Sequence, residues 1–378
     1  MTDSNISALE TGEILDCIRA WVEIESPTQD GAAVNRMADK VVADYAAIGA
    51  KVERIAGRDG FGDHLLVTSP WGDPDAPGVL VLSHLDTVHD IGTLGGKLPF
   101  RVEGDTAYGP GIYDMKGGAY LALAAMRQLV REGRTTRLPI RHLLVSEEEV
   151  GSPTSREQIE REARRAVAVL VTEPAREGGK IVTARKGTAR FDIVVRGQAA
   201  HSGTRHQDGR NAIRELARQI LDIEAMTDYA TGLTVNVGVI SGGSRANVVA
   251  DEARAAVDMR VPNPAVSGVA IARFLALKPY DPGCTLEITG GLNRPGYEKG
   301  PEIAALLERA QAIAAGIGFE LKDLATGGGS DGNFTASIAP TLDGLGVDGK
   351  GAHTHDEQLY VSSLVPRARL LLGLFESF

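Results

Sequence analysis

The sequence of 378 residues is poor in the features that mark secreted or membrane proteins. Its two cysteines, Cys17 and Cys284, have no C-x-x-C spacing, which argues against a disulfide framework and predicts reduced, buried thiols. No apolar run reaches the ~18 residues of a membrane span. The acidic N-terminal stretch lacks the apolar core of a secretory signal. We therefore expect a cytoplasmic protein without membrane partners.

An excess of basic residues is also missing. The formal net charge is −10, from 40 Lys and Arg against 50 Asp and Glu. A nucleic-acid-binding protein would need a basic stripe, so we expect no nucleic-acid partner. Small anionic substrates are not excluded, because a local arginine cluster can outweigh the overall charge.

The composition that is present is that of a globular protein large enough for two domains, with 43% apolar and 24% charged residues. Helical periodicity alternates with short apolar runs such as VLVLSH, RHLLV and AVLV, which are typical of strands buried in a parallel sheet. From about residue 184 the strands alternate apolar and polar residues instead. The pattern predicts an α/β fold with a mostly parallel sheet, interrupted by a smaller α+β domain, with boundaries at 1–184, 185–295 and 296–378.

The first chemical signal is the pair His84 and Asp86, where the VLVLS strand ends. On a strand, residues two apart share a face, and ligands bind at the carboxyl ends of strands in open α/β sheets. Taken alone, His-x-Asp fits a hydrogen-bonded turn at least as well as a metal site.

Further candidate ligands occur at other strand ends or in neighbouring glycine-rich loops. Each also has a simpler explanation: a helix cap for Asp114 in YGPGIYDMKGG, and a solvated loop for the triplet of glutamates in SEEEVGS. Two histidines, two glutamates and one shared aspartate would suit two Zn²⁺ ions, with Co²⁺ or Mn²⁺ as substitutes. These candidates are His84, Asp114, one of Glu147–Glu149, Glu173 and His353.

Eight motifs together resemble one family, and they occur in its order along nearly the whole chain. They are SHLDTV, YGPGIYDMKGG, EEEVGS, TEP, AAHSG, NVVADEARAAVDMR, TGGGSDGNF and GAHTHDE. The sequence is similar to the co-catalytic zinc aminoacylase and carboxypeptidase family, which includes glutamate carboxypeptidases, acetylornithine deacetylases and succinyl-diaminopimelate desuccinylases. The Glu173-Pro174 pair most resembles the glutamate carboxypeptidase branch.

The resemblance implies a role for each candidate ligand. His84 and Glu173 would hold one zinc ion, Glu149 and His353 the other, and Asp114 both. Glu148 would be the general base, and Asp86 would orient His84, as carboxylates commonly do for ligating imidazoles. His355 competes with His353, which we prefer because it follows Gly-Ala and precedes Glu357 by four residues.

The resemblance also assigns residues around the inserted domain. His201 would stabilise the oxyanion in the neighbouring subunit of a homodimer formed through residues 185–295. Asn247 and Arg260 would bind the substrate's free carboxylate, for which a guanidinium fork is well suited. Gly328 and Gly329, within the Gly327–Gly329 run, would let the backbone approach the substrate.

The implied reaction is hydrolysis of the amide bond of an N-acyl amino acid or of a C-terminal amino acid. Deacylases or dipeptidases with other acyl or amino-acid preferences remain as alternatives. A dinucleotide-binding oxidoreductase is disfavoured because no G-x-G-x-x-G follows a first strand. A non-catalytic relative would be expected to have lost ligands or base, whereas this sequence has the full set.

Overall fold

A computed structural model describes residues 9–378 as two compact units. The first unit contains the chain up to Thr183, Lys299–Ala325 and Ser330–Phe378; the second contains Ala184–Glu298 and Thr326–Gly329. The segment Thr326–Gly329 is attached to the rest of the second unit: the backbone carbonyl of Thr326 accepts a hydrogen bond from the Lys186 N–H, at 3.0 Å. Among residues 9–378, we find no helix with both the length and the apolar character needed to cross a membrane.

The regular elements follow in chain order. The helices are α1 Thr11–Val22, α2 Gly31–Ala46, α3 Gly117–Arg131, α4 Arg156–Ala163, α5 Ala212–Glu224, α6 Pro264–Leu275, α7 Pro301–Ile317, α8 Gly332–Thr335 and α9 Leu364–Glu376. The strands are β1 Lys51–Ile55, β2 His64–Thr68, β3 Gly78–His84, β4 Arg101–Glu103, β5 Thr106–Tyr108, β6 Ile140–Val145, β7 Ala166–Val171, β8 Ile181–Arg185, β9 Gly187–Arg196, β10 Thr234–Gly242, β11 Glu252–Val261, β12 Thr285–Arg294, β13 Asp323–Thr326, β14 Thr341–Leu342, β15 Gly349–Lys350 and β16 Gln358–Tyr360.

The first unit is built around a six-stranded sheet in the order β1-β2-β6-β3-β7-β14. The β6-β3-β7-β14 pairings are parallel, and β1 and β2 add antiparallel strands at one edge. Every residue of β3 and β6 is buried, which explains their continuous apolar runs. α3 packs against β3, while α4 and α8 contribute Ile159 and Phe334 to the core on β7 and its neighbours. The predicted α/β fold with a mostly parallel sheet is therefore confirmed.

A second, four-stranded sheet in the first unit positions two loops. Its order is β15-β16-β5-β4, with antiparallel pairing throughout. β15 and β16 form a hairpin, so residues 351–357 are its loop. Since β16 also pairs with β5, this loop is attached beside the segment that leads from β5 into α3.

The second unit is a four-stranded antiparallel sheet, β10-β11-β9-β12, with α5 and α6 packed on it. Phe191 and Phe274 stack at 4.3 Å between ring centroids in its core. Asn211 caps α5 and Asn263 caps α6 by accepting backbone N–H bonds. The alternation of buried and exposed residues along β9 and β11 matches the period of two in the sequence. Neither cysteine is bridged; Cys284 is buried in this unit, whereas Cys17 in α1 is only half-buried.

Candidate metal centre

Three parallel strands deliver the first part of the site. His84 is the last residue of β3, and Glu173 lies two residues beyond β7. Glu148 and Glu149 begin a short helical turn, Glu148–Val150, just after β6. Because these strands are neighbours and parallel, their carboxyl ends meet at one edge of the sheet, where ligands bind in open α/β folds.

Asp114 lies between two imidazoles. Its Oδ1 is 3.3 Å from Nε2 of His84, and its Oδ2 is 3.3 Å from Nε2 of His353. The backbone leaves helical geometry at Asp114 and Met115 just before α3 begins, and the peptide bond between them is cis. His353, with φ of 63°, comes from the β15–β16 hairpin loop. Both oxygens of this one carboxylate therefore face a histidine nitrogen from a different segment.

The glutamates complete the cluster around these histidines. Glu149 Oε2 lies 3.0 Å from His353 Nε2, and Glu173 Oε1 lies 3.8 Å from His84 Nε2. Two groups, His84 with Glu148 and Glu173, and His84 with Asp114 and Glu149, each have ligand atoms within 4.8 Å of one another. The five predicted metal ligands are thus brought together in the first unit, and Glu148 reaches the same place.

Asp86 ties the cluster to the backbone. Its carboxylate accepts the N–H groups of Glu148 and Glu149, both at 3.2 Å, and the hydroxyl of Thr28 at 2.7 Å. Its Oδ1 lies 3.4 Å from Nδ1 of His84, and its backbone carbonyl is closer to that nitrogen, at 2.9 Å. Asp86 therefore holds the turn that carries Glu148 and Glu149 and lies beside His84.

A second set of hydrogen bonds joins the strands behind the ligands. Ser83 Oγ lies 2.6 Å from Thr172 Oγ1, so the residues preceding His84 and Glu173 are linked side chain to side chain. His142 continues this buried chain, 2.6 Å from Ser83 Oγ. Burial lowers the pKa of His142 to about 3, so the ring is neutral and serves as a structural link.

The charges in the cluster are strongly interdependent. Burial alone would lower the pKa of His84, but hydrogen bonds to Asp114 and Asp86 hold that pKa well above its usual value. The hydrogen bonds to Asp114 and Glu149 raise the pKa of His353 to about 11. Burial would raise the pKa of Asp114, but His353 and His84 keep that pKa far below its usual range. Without a cation, protons on the two imidazoles offset part of the carboxylate charge.

The donor set fits a divalent metal ion. Nitrogen from histidine and oxygen from carboxylates are the ligands of zinc and of first-row metals that replace it. Glu149 Oε1 is buried without a hydrogen-bond partner, an arrangement that is costly for a carboxylate unless a cation faces it. Burial correspondingly raises the pKa of Glu149. The residues present therefore fit a divalent metal ion.

The remaining histidines of the first unit have other surroundings. His64 lies buried beside Glu147, with its Nδ1 3.2 Å from the Ser146 N–H. His89 is buried and bonded to Glu357. His355 lines a cavity of about 590 Å³ beside His353, together with His89 and Lys97. Of the two competing histidines, His353 is the one that contacts the carboxylate cluster.

The other predicted site residues belong to the second unit. His201 and Asn247 are exposed on neighbouring segments, joined by the Ser202 N–H donating to the Asn247 carbonyl at 3.0 Å. Gly328 is exposed, its carbonyl accepts a bond from Arg185 at 3.1 Å, and Gly329 is half-buried.

Arg260 has a partner that the sequence did not predict. Its Nε and Nη2 bond to the two oxygens of Asp258, at 2.7 and 3.0 Å. The two residues are two apart on β11 and therefore share a face of the strand. The guanidinium fork is thus already held in a fixed direction by a carboxylate.

Sequence reasoning missed one central residue. Glu357 is 1% exposed and accepts three backbone N–H groups from the loop that carries Asp114. Its sequence signal was only its spacing of four from His353. Thr28 was missed as well, because a threonine that bonds to a distant aspartate has no local pattern.

A mixed histidine and carboxylate cluster at the carboxyl edge of a mostly parallel sheet is typical of metal-dependent hydrolases. Comparison with known families identifies the group more closely. The chain belongs to the peptidase family M20/M25/M40, whose profile matches residues 80–377. Membership makes the chain a hydrolase of the metallopeptidase type, as the sequence predicted.

Curated relatives cover most of the chain. Carboxypeptidase G2 of a Pseudomonas species is 29% identical over 376 residues, which cover 97% of this chain and 90% of the relative. Succinyl-diaminopimelate desuccinylase of Gluconacetobacter diazotrophicus is 26% identical over 320 residues, covering 79% of this chain and 81% of that protein.

Solved structures agree on the fold. Aminopeptidase PepT from Bacillus cereus superposes with a TM-score of 0.80 at 22% identity, covering 97% of this chain and 98% of that one. A metallo-carboxypeptidase of the M20 family from Sulfolobus solfataricus superposes with a TM-score of 0.74 at 17% identity, covering 97% of this chain and 100% of that one. At such identities the likeness concerns the fold alone.

Proposed function

We propose that the enzyme hydrolyses the amide bond that joins an acyl group to an amino acid with a free α-carboxylate. The substrate is an N-acyl amino acid or a peptide-like molecule with a C-terminal amino acid, as for a glutamate carboxypeptidase. The observation that carries this proposal is Asp114 between His84 and His353, with Glu148 beside the same cluster. The names of two relatives, a carboxypeptidase and a desuccinylase, support it.

The cluster would hold two divalent cations, with Zn²⁺ as the first choice and Co²⁺ or Mn²⁺ as substitutes. His84 and Glu173 would bind one, Glu149 and His353 the other, and Asp114 both. When bound, such ions polarise a scissile carbonyl and make a water molecule more acidic. The buried, unpartnered Oε1 of Glu149 supports an ion at the His353 side.

Glu148 is assigned as general base. Its carboxylate belongs to the group formed with His84 and Glu173, while its backbone N–H is fixed by Asp86. A carboxylate held this way can take a proton from the attacking water and deliver that proton to the departing amine nitrogen. Asp86 contributes by fixing the turn on which Glu148 lies.

The second unit is assigned to substrate recognition. His201 is exposed and its Nδ1 accepts the N–H of Gly203 at 3.2 Å, which leaves Nε2 to donate to an oxyanion. Arg260 donates from Nε and Nη2 to Asp258, which leaves Nη1 to bind the substrate carboxylate. Asn247 would share that carboxylate, and Gly328 and Gly329 would allow backbone to approach the substrate.

The same unit is assigned to a homodimer interface. β10 is an edge strand of the second unit's sheet, and its Val239 and Ile240 are each 64% exposed. Leu221 of the adjacent α5 is 71% exposed. An open edge with apolar side chains favours pairing with another chain. Light scattering would test this: wild type should be a dimer and Ile240→Lys a monomer, whereas a monomeric wild type would refute the assignment.

A substrate panel tests the proposed reaction. Metal-free enzyme, then enzyme reloaded with Zn²⁺ or Co²⁺, would be assayed on N-acyl amino acids and dipeptides whose acyl and amino-acid parts vary separately. Each substrate would be offered as the free acid and as the amide. We expect turnover only with metal bound and with a free carboxylate on the substrate. The combination of acyl group and amino acid that is hydrolysed most efficiently identifies the substrate class.

The matched control is Glu148→Gln, which should retain metal while losing turnover. A wild-type protein that binds metal yet turns over no member of the panel would instead favour a non-catalytic binding relative. Fast cleavage of dipeptides alone would favour the dipeptidase alternative.

A further inference from the structure

Two ligand-bearing loops of the proposed metal centre meet at a single buried carboxylate. The loop at residues 109–114 leads from β5 to Asp114, and residues 351–357 form the β15–β16 hairpin loop that carries His353. Glu357 lies at the base of the hairpin loop, directly before β16, and is 1% exposed. Its side chain points into the other loop rather than to solvent.

Each oxygen of Glu357 accepts two hydrogen bonds. Oε1 accepts the N–H groups of Tyr113 and Asp114, both at 2.9 Å. Oε2 accepts the Gly111 N–H at 2.9 Å and lies 2.6 Å from Nε2 of His89. Three of the four donors therefore belong to the short backbone segment, residues 111–114, that presents Asp114.

This loop has little other regular support. Residues 112–116 form one short turn, and the backbone at Asp114 is not helical. Gly111 has a left-handed φ of 70°, and a Cβ there would lie 2.4 Å from the Thr87 side chain. The loop is therefore closely packed but depends on an external acceptor for its N–H groups, since buried donors must be satisfied.

We propose that Glu357 is a positioning residue that fixes the distance between Asp114 and His353. The inference rests on the proposed function, because it assumes that these two side chains bind metal. Glu357 contacts neither the substrate nor the ions; it acts by holding the Asp114 backbone against the hairpin that carries His353. Because Asp114 faces both histidines, a shift of its loop weakens both proposed ion sites together.

Glu357→Gln is the informative substitution because it keeps the size of the side chain. Whichever end the amide NH₂ occupies, it faces at least one backbone N–H among Gly111, Tyr113 and Asp114, and two donors cannot bond to each other. The loop must then move or lose a bond. Changes to groups that orient metal ligands typically cost about 10- to 100-fold in metal affinity.

A matched control exists in the second unit. Glu215 is also 1% exposed and accepts the backbone N–H groups of Tyr280 and Asp281, at 2.9 and 3.0 Å. Glu215→Gln removes the same kind of acceptor from a unit that holds none of the proposed metal ligands. It should lower the melting temperature while leaving metal affinity unchanged.

The experiment is a titration of the metal-free, full-length protein with Co²⁺, followed by visible absorption and by competition with a chelator. We expect wild type and Glu215→Gln each to bind two ions, and the affinities of the two proteins for Co²⁺ to be the same. Glu357→Gln should bind both ions about 10- to 100-fold more weakly. Glu357→Asp keeps the charge on a shorter side chain and should fall between them.

Each outcome has a defined meaning. Wild-type affinity in Glu357→Gln, or loss of only one ion, overturns the positioning role while leaving the proposed function intact. If Glu357→Gln does not fold, wild-type affinity in Glu357→Asp overturns that role instead. A wild-type protein that binds no Co²⁺ overturns the proposed function itself, and this inference with it.

Discussion

Loading the metal-free protein with Zn²⁺ should release protons, because the two imidazoles of the cluster hold them in the absence of metal. The pKa of His353 is raised to about 11, and the pKa of His84 lies well above its usual value. Each pKa is raised, so each ring stays protonated as pH rises past the ordinary histidine range. Each ring must lose that proton before its Nε2 can bind a cation.

The expected number of released protons follows from the two histidines that contact Asp114. At about pH 7.5 both rings are protonated, so saturation with Zn²⁺ should release about two protons, one from each histidine. By linkage, the apparent affinity of each ion should fall about tenfold for each unit by which pH is lowered. Metal should therefore bind more weakly in acid.

The assay is isothermal titration calorimetry in buffers of different ionisation enthalpy, which reports the protons exchanged. His353→Asn should release about one proton, because only His84 then gives up a proton on binding. His355→Asn should still release about two, since His355 lines the neighbouring cavity. Proton release near zero from wild type would refute the conclusion that both imidazoles are protonated in the metal-free protein. Equal proton release from wild type and His353→Asn would refute His353 as a metal ligand.

Three further predictions address the reaction. Glu148→Gln should keep its metal and lower kcat by at least ~100-fold, whereas Glu149→Gln should lose metal. Metal analysis together with kinetics distinguishes the two variants. If the two phenotypes are reversed, the general base is Glu149 and the metal ligand is Glu148. Arg260→Lys should slow substrates with a free α-carboxylate, because lysine cannot bond both oxygens of Asp258 and still hold a further N–H group in a fixed direction for the substrate; equal wild-type rates on acid and amide forms would contradict this. If His201 serves the partner's site, Glu148→Ala and His201→Ala subunits refolded together should regain about a quarter of wild-type activity; inactive mixed dimers, identified by mass spectrometry, would argue against it.

The buried strands and long helices could be predicted because their own residues decide them. All residues of β3 and β6 are buried, and both strands read as apolar runs bounded by turns. Of the helices with clear periodicity, α7 buries one apolar side along most of its length, whereas α3 is buried on nearly all sides. Hydrophobic burial therefore appears directly in the spacing of these residues.

The elements that escaped prediction depend on their partners. β1 is largely exposed, with the polar sequence KVERI, and exists as a strand because it pairs with β2 along its whole length. α4, REQIEREA, is too polar for its two buried apolar residues to stand out. β15 and β16 are two and three residues long, and pairing with each other and with β5 defines them. Tertiary pairing of this kind leaves little local pattern.

The candidate ligands were easier to find than their supports. A histidine or carboxylate at the end of a buried strand is unusual by itself, so His84 and Glu173 stand out in the sequence. Asp258 was missed because it lies on the alternating strand β11, where a half-exposed carboxylate is ordinary. Glu357 was missed as a functional residue, since the bonds it makes are to backbone N–H groups that every sequence provides.

Two buried supports, Asp86 and Glu357, also explain how an acidic cluster can persist in a folded protein. Five carboxylates converge on two imidazoles, so negative charge remains in excess even when both rings are protonated. Repulsion would drive the ligand loops apart unless other bonds held their backbones. Asp86 holds the turn of Glu148 and Glu149, and Glu357 holds the loop of Asp114. Cation binding relieves the same repulsion, so metal affinity and the order of these loops should change together whenever either support is altered.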